Sequence, residues 1–74
     1  MANRTVKGAE YKIVVRGELD SRFANLFNGM QMEQSEGETV LTGRVLDQAQ
    51  LHGFIERLEE LGLELLTVEQ ISGA

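Results

Sequence analysis

The chain has 74 residues, and a length of this order predicts a single domain. A domain this small buries only about 60% of the surface of its unfolded chain, so its stability is marginal unless it associates with another copy or a partner. The sequence has no cysteine, which excludes disulfides, thiolate metal sites and a cysteine nucleophile. The net charge of −5 argues against nucleic-acid binding, because a protein that neutralises phosphates needs a basic face.

The ends of the chain are predicted to lie outside the folded unit. Residues 1–9 are small and polar without periodicity, and we expect a flexible N-terminal arm there. The domain is predicted to span residues 10–71, followed by a tail at residues 72–74. No apolar run approaches the length of about 18 residues that a membrane-spanning helix needs, and the N-terminus lacks the apolar core of a secretory leader. We therefore expect a cytoplasmic protein that does not associate with membranes.

The first part of the chain predicts a strand and a short helix. Tyr11–Val15 alternates and is rich in β-branched residues, which is typical of a half-buried strand. Asp20 or Ser21 is suited to the N-cap of a helix of about two turns. Asn28-Gly29 suits its end, because both residues tolerate the left-handed conformation. The apolar residues of this helix lie three or four apart: Phe23, Leu26, Phe27 and Met30.

A β-hairpin is predicted next. Met30–Gln34 and Thr39–Val45 alternate as strands, and the intervening Ser35–Glu38 is typical of a hairpin turn. Gly43 leaves a gap on the face shared by Leu41 and Val45, and we expect an aromatic ring from a helix, Phe27 or Phe54, to fill it.

Asp47–Gly62 carries the clearest helical pattern of the chain. Asp47 is suited to the N-cap, and Gln50 lies three residues on, where its side chain can reach back to form a capping box. Gly62 suits the left-handed residue that follows many helices. The apolar residues recur at spacings that place them on one side of a helix: Leu51, Phe54, Ile55, Leu58 and Leu61. We expect the sheet to pack against this helix.

Leu63–Ile71 predicts the last strand. Its alternation puts Leu66 and Val68 on one side, and Leu65, Thr67 and Ile71 on the other. Apolar residues on both sides indicate a strand that is covered on both faces or borders a partner.

The predicted element order is β-α-β-β-α-β, which is that of the ferredoxin-like fold. We expect an α+β domain with an antiparallel four-stranded sheet in the order 4-1-3-2 and two helices on one face. The exposed face mixes polar and apolar residues, among them Val14 and Val40, and we expect a second copy to cover it, the alternative being a single solvated face.

Few residues are suited to catalysis. His52 is the only histidine, so no second histidine can join it in a metal site, and no HExxH or CxxC motif occurs. We therefore expect no metal site and no cofactor. It is the one candidate for a catalytic acid or base, in a pocket between the sheet and the helices, although a single histidine is most often a residue at the boundary of the apolar stripe. The serines fall in predicted cap, turn and tail positions: Ser21, Ser35 and Ser72.

Two further features of the long helix are unusual. Gly53 lies on the side away from the apolar residues, where glycine costs about 1 kcal/mol relative to alanine. Either it is a tolerated interruption, or another chain or loop approaches the helix closely there. Several glutamates crowd the end of the helix and predict a solvated acidic face, a surface for a basic partner, or a weak divalent-cation site: Glu56, Glu59, Glu60 and Glu64.

The segments Arg44–Gly53 (RVLDQAQLHG) and Leu61–Leu65 (LGLEL) carry a resemblance to known proteins. They are similar to small uncharacterised bacterial proteins with an "RxxDQAxLHGxLxRxxxLGLxLxxV" segment. The resemblance covers about half of the chain, implies no activity, and includes His52 and Gly53. In size and element order the chain also resembles ligand-binding domains of the ACT type, and Gly17 in the first loop is compatible with their ligand position.

We therefore predict a small homodimeric binding or regulatory module without catalytic activity. The expected interface residues are Gly53, His52, Leu65 and Val68, and the expected partners are a second copy, another protein or a small ligand. The alternatives are a small dimeric enzyme that uses His52, or an accessory subunit that binds a larger protein through an edge strand or the acidic helix end.

Overall fold

The computed structural model describes residues 8–27 and 29–73. The elements are strand β1 (Ala9–Arg16), a 3₁₀ helix (Ser21–Leu26), strands β2 (Met30–Ser35) and β3 (Glu38–Val45), helix α1 (Gln48–Glu60) and strand β4 (Glu64–Gly73). Ser72 and Gly73, expected in the tail, belong to β4. Residues 1–7 of the predicted arm lie outside the described residues.

The four strands form one antiparallel sheet in the order β2-β3-β1-β4. This is the predicted order 4-1-3-2, counted from the other edge. Strands β1 and β3 are central, whereas β2 and β4 form the edges. The prediction of an α+β domain built on this sheet is confirmed.

The segment after β1 is a 3₁₀ helix of six residues, so the prediction of an α-helix there was wrong. Asp20 is its N-cap, as predicted, and the backbone N–H of Arg22 donates to the Asp20 carboxylate at 2.8 Å. A 3₁₀ helix rises about 2.0 Å per residue and an α-helix about 1.5 Å, so a short segment extends further in the 3₁₀ form. Phe27, directly after this segment, belongs to the core and is 1% exposed. Asn28, part of the predicted helix end, lies outside the described residues.

Helix α1 begins as the sequence predicts. The backbone N–H of Gln50 donates to the Asp47 carboxylate at 2.8 Å. The side chain of Gln50 reaches back and accepts from the backbone N–H of Leu46 at 2.7 Å, one residue before the position used in a standard capping box. Two otherwise unpaired N–H groups are thus satisfied, which holds the connection between β3 and α1 in place.

The end of α1 is also the one predicted. Gly62 has a φ of +85°, and its N–H donates to the carbonyl of Glu59 at 3.0 Å. The N–H of Leu63 donates to the carbonyl of Leu58 at 3.1 Å. This pair of bonds is a Schellman motif, which turns the chain directly from the helix into β4.

The core lies between one face of the sheet and the two helical segments. The rings of Phe27, after the 3₁₀ helix, and Phe54, in α1, have centroids 5.5 Å apart and are tilted by 56°. Both segments therefore cover the same face. The buried cluster beneath them consists of Ile13, Val15, Leu19, Phe27, Leu41, Val45, Phe54 and Leu58.

The β2–β3 hairpin depends on glycine at both of its ends. At the turn, Glu36 and Gly37 both have positive φ, as in a type I′ turn, so the predicted hairpin is confirmed. At the other end, a Cβ at Gly43 would meet the carbonyl oxygen of Gly29 and lie 2.8 Å from the Cα of Met30. The gap at Gly43 is thus filled by the backbone that enters β2 and not by an aromatic ring, contrary to the prediction.

Thr39 is the buried polar side chain of the described part of the chain, with no exposed surface. Its hydroxyl accepts from the backbone N–H of Leu19 at 2.9 Å and donates to the carbonyl of Gly17 at 2.8 Å. The side-chain amide of Gln34 donates to the carbonyl of Leu19. Two strands of the hairpin therefore hold the loop that connects β1 to the 3₁₀ helix.

We expect Thr39→Val to destabilise the protein by about 1–3 kcal/mol, because it keeps the shape of the side chain but leaves buried backbone groups of Gly17 and Leu19 without partners. Thr39→Ser keeps the hydroxyl and loses one methyl group, which costs about 0.5–1.5 kcal/mol. Urea unfolding of both variants measures the difference. A valine variant as stable as the wild type would show that the hydroxyl does not hold the loop.

Candidate functional site

Strand β4 provides the longer free edge of the sheet. It has ten residues, against six in β2 at the other edge. Its backbone pairs with β1 on one side only, so the other side presents N–H and C=O groups that an additional strand can pair with.

The side chains of β4 do not follow a simple alternation. Leu65 lies opposite Val15 and Val68 opposite Ile13, so both point to the side of the sheet that carries α1. The sequence predicted opposite sides for Leu65 and Val68, and this was wrong. The reason is a register shift between the partners of Val14 and Val15, which inserts one extra residue into β4 and reverses the side of every residue beyond it.

Exposed apolar surface is concentrated on β4. Across residues 8–27 and 29–73, the exposed large hydrophobic side chains are Leu46 at 59%, Val68 at 37% and Ile71 at 49%. Two of these three belong to β4. The sequence pointed to Val68 as an interface residue, and it missed Ile71, which lies at a second register shift, between the partners of Glu10 and Tyr11.

The face of the sheet opposite α1 carries matched charges. Residues of opposite charge face each other across neighbouring strands at four places: Glu10 with Arg44, Lys12 with Glu69, and Arg16 with both Glu38 and Glu64. The Nε of Arg16 donates to the Glu64 carboxylate at 3.2 Å. Cross-strand pairs of this kind are compatible with a face in contact with water, where each charge stays solvated.

His52 lies on the solvent side of α1. Its side chain is 73% exposed, and its Nε2 is 3.1 Å from Oε2 of Glu56, one turn along the helix. The sequence placed a candidate acid or base in a pocket between sheet and helices, and the position of His52 contradicts that hypothesis. Exposed pairs at this spacing are common on helix surfaces and contribute little to stability.

Gly53 has open space beside it. A Cβ built at this position would have no atom within 4 Å, other than those of its chain neighbours and the backbone of its own helix turns. No loop of the described chain approaches α1 there, so within one protomer Gly53 is a tolerated interruption of the helix.

A groove of about 350 Å³ lies where α1 begins, next to β4. Its walls include Tyr11 of β1, Leu46 before the helix and Gln70 of β4, and most of its exposed lining is apolar. It therefore continues the apolar surface of β4 onto the helix side of the sheet.

A second, polar depression of about 520 Å³ lies between the 3₁₀ helix and β2, lined by Glu18, Asp20, Ser21, Met32 and Gln34. The backbone N–H of Arg22, and then its guanidinium, hold the pKa of Asp20 below its usual value. The carboxylate is thus already engaged by its own helix start. His52 lines neither of these two depressions.

The hypothesis of a cation site at the helix end is not supported by the geometry. In the part of the chain that the structure describes, no three side chains of histidine, aspartate or glutamate are grouped so that they could hold a metal ion. Among the same residues, no helix is long and apolar enough to cross a membrane.

Comparison with models of protein families gives a match. Residues 10–69 match the model of a family described as Domain of unknown function (DUF8691), which covers β1 through most of β4. No curated protein and no solved structure matches the chain.

We expect Gly53→Ala to stabilise the protein by about 0.5–1 kcal/mol, because alanine is the better helix former and the new methyl group meets open space. Thermal unfolding at several protein concentrations measures the effect. The reverse change Ala49→Gly, at an exposed position of the same helix, should have the opposite sign. A destabilised Gly53→Ala variant would show that a second chain packs against this position.

We expect His52→Ala to change the free energy of unfolding by less than about 0.5 kcal/mol, since the pair with Glu56 is exposed. Glu56→Gln, which removes the charge of the partner, should have an equally small effect. Urea unfolding at neutral pH measures both. A loss of more than about 2 kcal/mol for His52→Ala would contradict its placement on the solvent side of α1.

Proposed function

The chain belongs to the domain family that its residues 10–69 match, and we propose that it is a small homodimeric binding module without catalytic activity. We further propose that two copies associate through the free edge of β4. The observation that carries this proposal is that an unpaired edge strand of ten residues exposes Val68 and Ile71.

The fold supports an assembly of this kind. We propose that it is a variant of the ferredoxin-like fold in which the first helix is reduced to a 3₁₀ helix. In this architecture the helices occupy one face of the sheet and leave both edges free. A 74-residue chain without disulfides gains stability from association, because the dimer buries surface that the monomer leaves exposed.

The edge is better suited to association than the open face of the sheet. A second copy on the open face would bury the cross-strand charge pairs around Lys12 and Arg16. Removing two charges from water often costs more free energy than their mutual attraction provides. Strand addition at β4 instead satisfies backbone groups that have no partner in the sheet and covers Val68.

The alternative of an enzyme that uses His52 has little support, because that side chain faces solvent next to Glu56. The alternative of an accessory subunit uses the same edge, with a strand of another protein in place of a second copy. The mass of the purified protein distinguishes the two, since only self-association doubles it.

We expect light scattering at high micromolar concentration to give about twice the monomer mass of 8.2 kDa. Val68→Lys should reduce this to the monomer mass, because a lysine within an edge strand opposes pairing with another strand. Leu46→Lys is the matched control, since Leu46 is even more exposed but lies outside β4, and it should leave the dimer intact. Circular dichroism confirms that each variant is folded. A monomeric wild type, or a dimeric Val68→Lys variant, would contradict the proposal.

A further inference from the structure

We propose that the two copies of β4 pair antiparallel in a single register, with the two-fold axis at Val68. The two sheets then form one continuous sheet of eight strands. This inference rests on the proposed dimer and specifies its interface.

The sides of the sheet on which the residues lie restrict the register. Residues that face each other directly in an antiparallel pair point to the same side of the sheet. In β4, Val68 points to the helix side, whereas Thr67 and Glu69 face Val14 and Lys12 of β1 and point to the open side. With the axis at Val68, Thr67 faces Glu69 of the second copy, and both residues point to the open side.

The same match holds further from the axis. Glu64 lies opposite Arg16, and Ser72 lies opposite Glu10, so both point to the open side. An axis at Val68 places Glu64 opposite Ser72 of the second copy. Glu69 therefore faces the hydroxyl group of Thr67, which can donate a hydrogen bond to the carboxylate. The Ser72 hydroxyl, opposite Glu64, lies 3.4 Å from the Glu10 carboxylate of its own protomer.

Each neighbouring register either sets residues on opposite sides of the sheet against each other or places two like charges opposite each other. An axis at Glu69 places two glutamates directly opposite each other, which is unfavourable. An axis at Thr67 sets Leu65, on the helix side, against Glu69, on the open side. An axis between two adjacent residues sets Val68 against Thr67 or Glu69, which point to the opposite side.

The favoured register also brings the apolar residues of β4 together. Val68 faces its own copy across the axis. Leu65 lies opposite Ile71 of the second copy, which is the extra residue of a register shift and has no partner in β1. The two register shifts of β4 lie on either side of Val68, at Leu66 and Ile71, so Thr67, Val68 and Glu69 pair across the axis without interruption. Gln70 lies opposite Leu66, the extra residue of one register shift. Because both copies of Val68 lie on the helix side, both α1 helices lie on one side of the eight-stranded sheet and both charged faces lie on the other.

Cysteine cross-linking tests this register directly, because the natural sequence has no cysteine. In Val68→Cys the two thiols face each other, with Cα atoms about 4.5–5.5 Å apart, which is within the range of a disulfide. We expect most of this variant to form a covalent dimer under mild oxidation, as seen on a non-reducing gel. The reduced variant should keep the circular dichroism spectrum and the mass of the wild type.

Offset positions provide matched controls. Thr67→Cys and Glu69→Cys should each cross-link poorly alone, because identical residues are then diagonal neighbours about 7–8 Å apart. An equimolar mixture of these two variants should cross-link efficiently, because residue 67 faces residue 69. Val40→Cys, on the open face of the sheet, should not cross-link.

The outcomes separate the two proposals. A wild type that is monomeric by light scattering overturns the proposed dimer, and with it this register. A dimeric wild type in which neither Val68→Cys nor the mixture cross-links overturns the register alone. Efficient cross-linking of Val40→Cys would show that the copies stack through their open faces. Cross-linking of Val68→Cys and of the mixture, with the single offset variants unlinked, supports the register.

Discussion

The arrangement of the helical segments depends on the two hydrogen bonds of the Thr39 hydroxyl. It joins the loop between β1 and the 3₁₀ helix to β3 through one accepted and one donated hydrogen bond, in a site without contact to water. This holds Leu19 in the core and directs the chain towards Phe27. Since Phe27 packs on Phe54, the position of α1 over the sheet follows from the same contact. A buried hydrogen bond contributes modestly to stability, whereas removing one partner leaves the other buried and unpaired, which is strongly destabilising.

The covered face and the free edge have a common cause. Both helical segments lie on one side of a sheet whose connections place β4 at an edge, and α1 ends directly before β4 in a Schellman motif. The helix side is therefore filled beneath α1 but remains open along β4, where Val68 and the groove beside Gln70 are found. On the opposite face, charged residues lie beside residues of opposite charge on the neighbouring strands. Within the described residues, the β4 edge combines backbone groups that have no partner in the sheet with the exposed side chains of Val68 and Ile71, and the proposed strand pairing rests on this combination.

The candidate site was only partly predictable. Val68 and Leu65 were predicted as interface residues because the last strand has apolar residues on both sides, and both lie on the edge strand. His52 and Gly53 were predicted as interface residues because they are unusual in a helix. In the structure the side chain of His52 is exposed to solvent, and open space lies beside Gly53. A rare residue type marks an unusual position, but it does not reveal what surrounds that position. The surroundings depend on packing between distant segments.

The sequence by itself determined the elements whose causes are local. The caps and apolar spacing of α1, the glycine turn of the hairpin and the alternation of β1 and β3 depend on residues a few positions apart, and they led to the strand order as well. Only the tertiary structure decided three features: the 3₁₀ form of the first helix, the backbone contact at Gly43, and the sides of Leu65 and Val68. The second and third arise where two distant segments meet. In β4 the register shifts exist only in its pairing with β1, about fifty residues earlier in the chain, so no local period can reveal them.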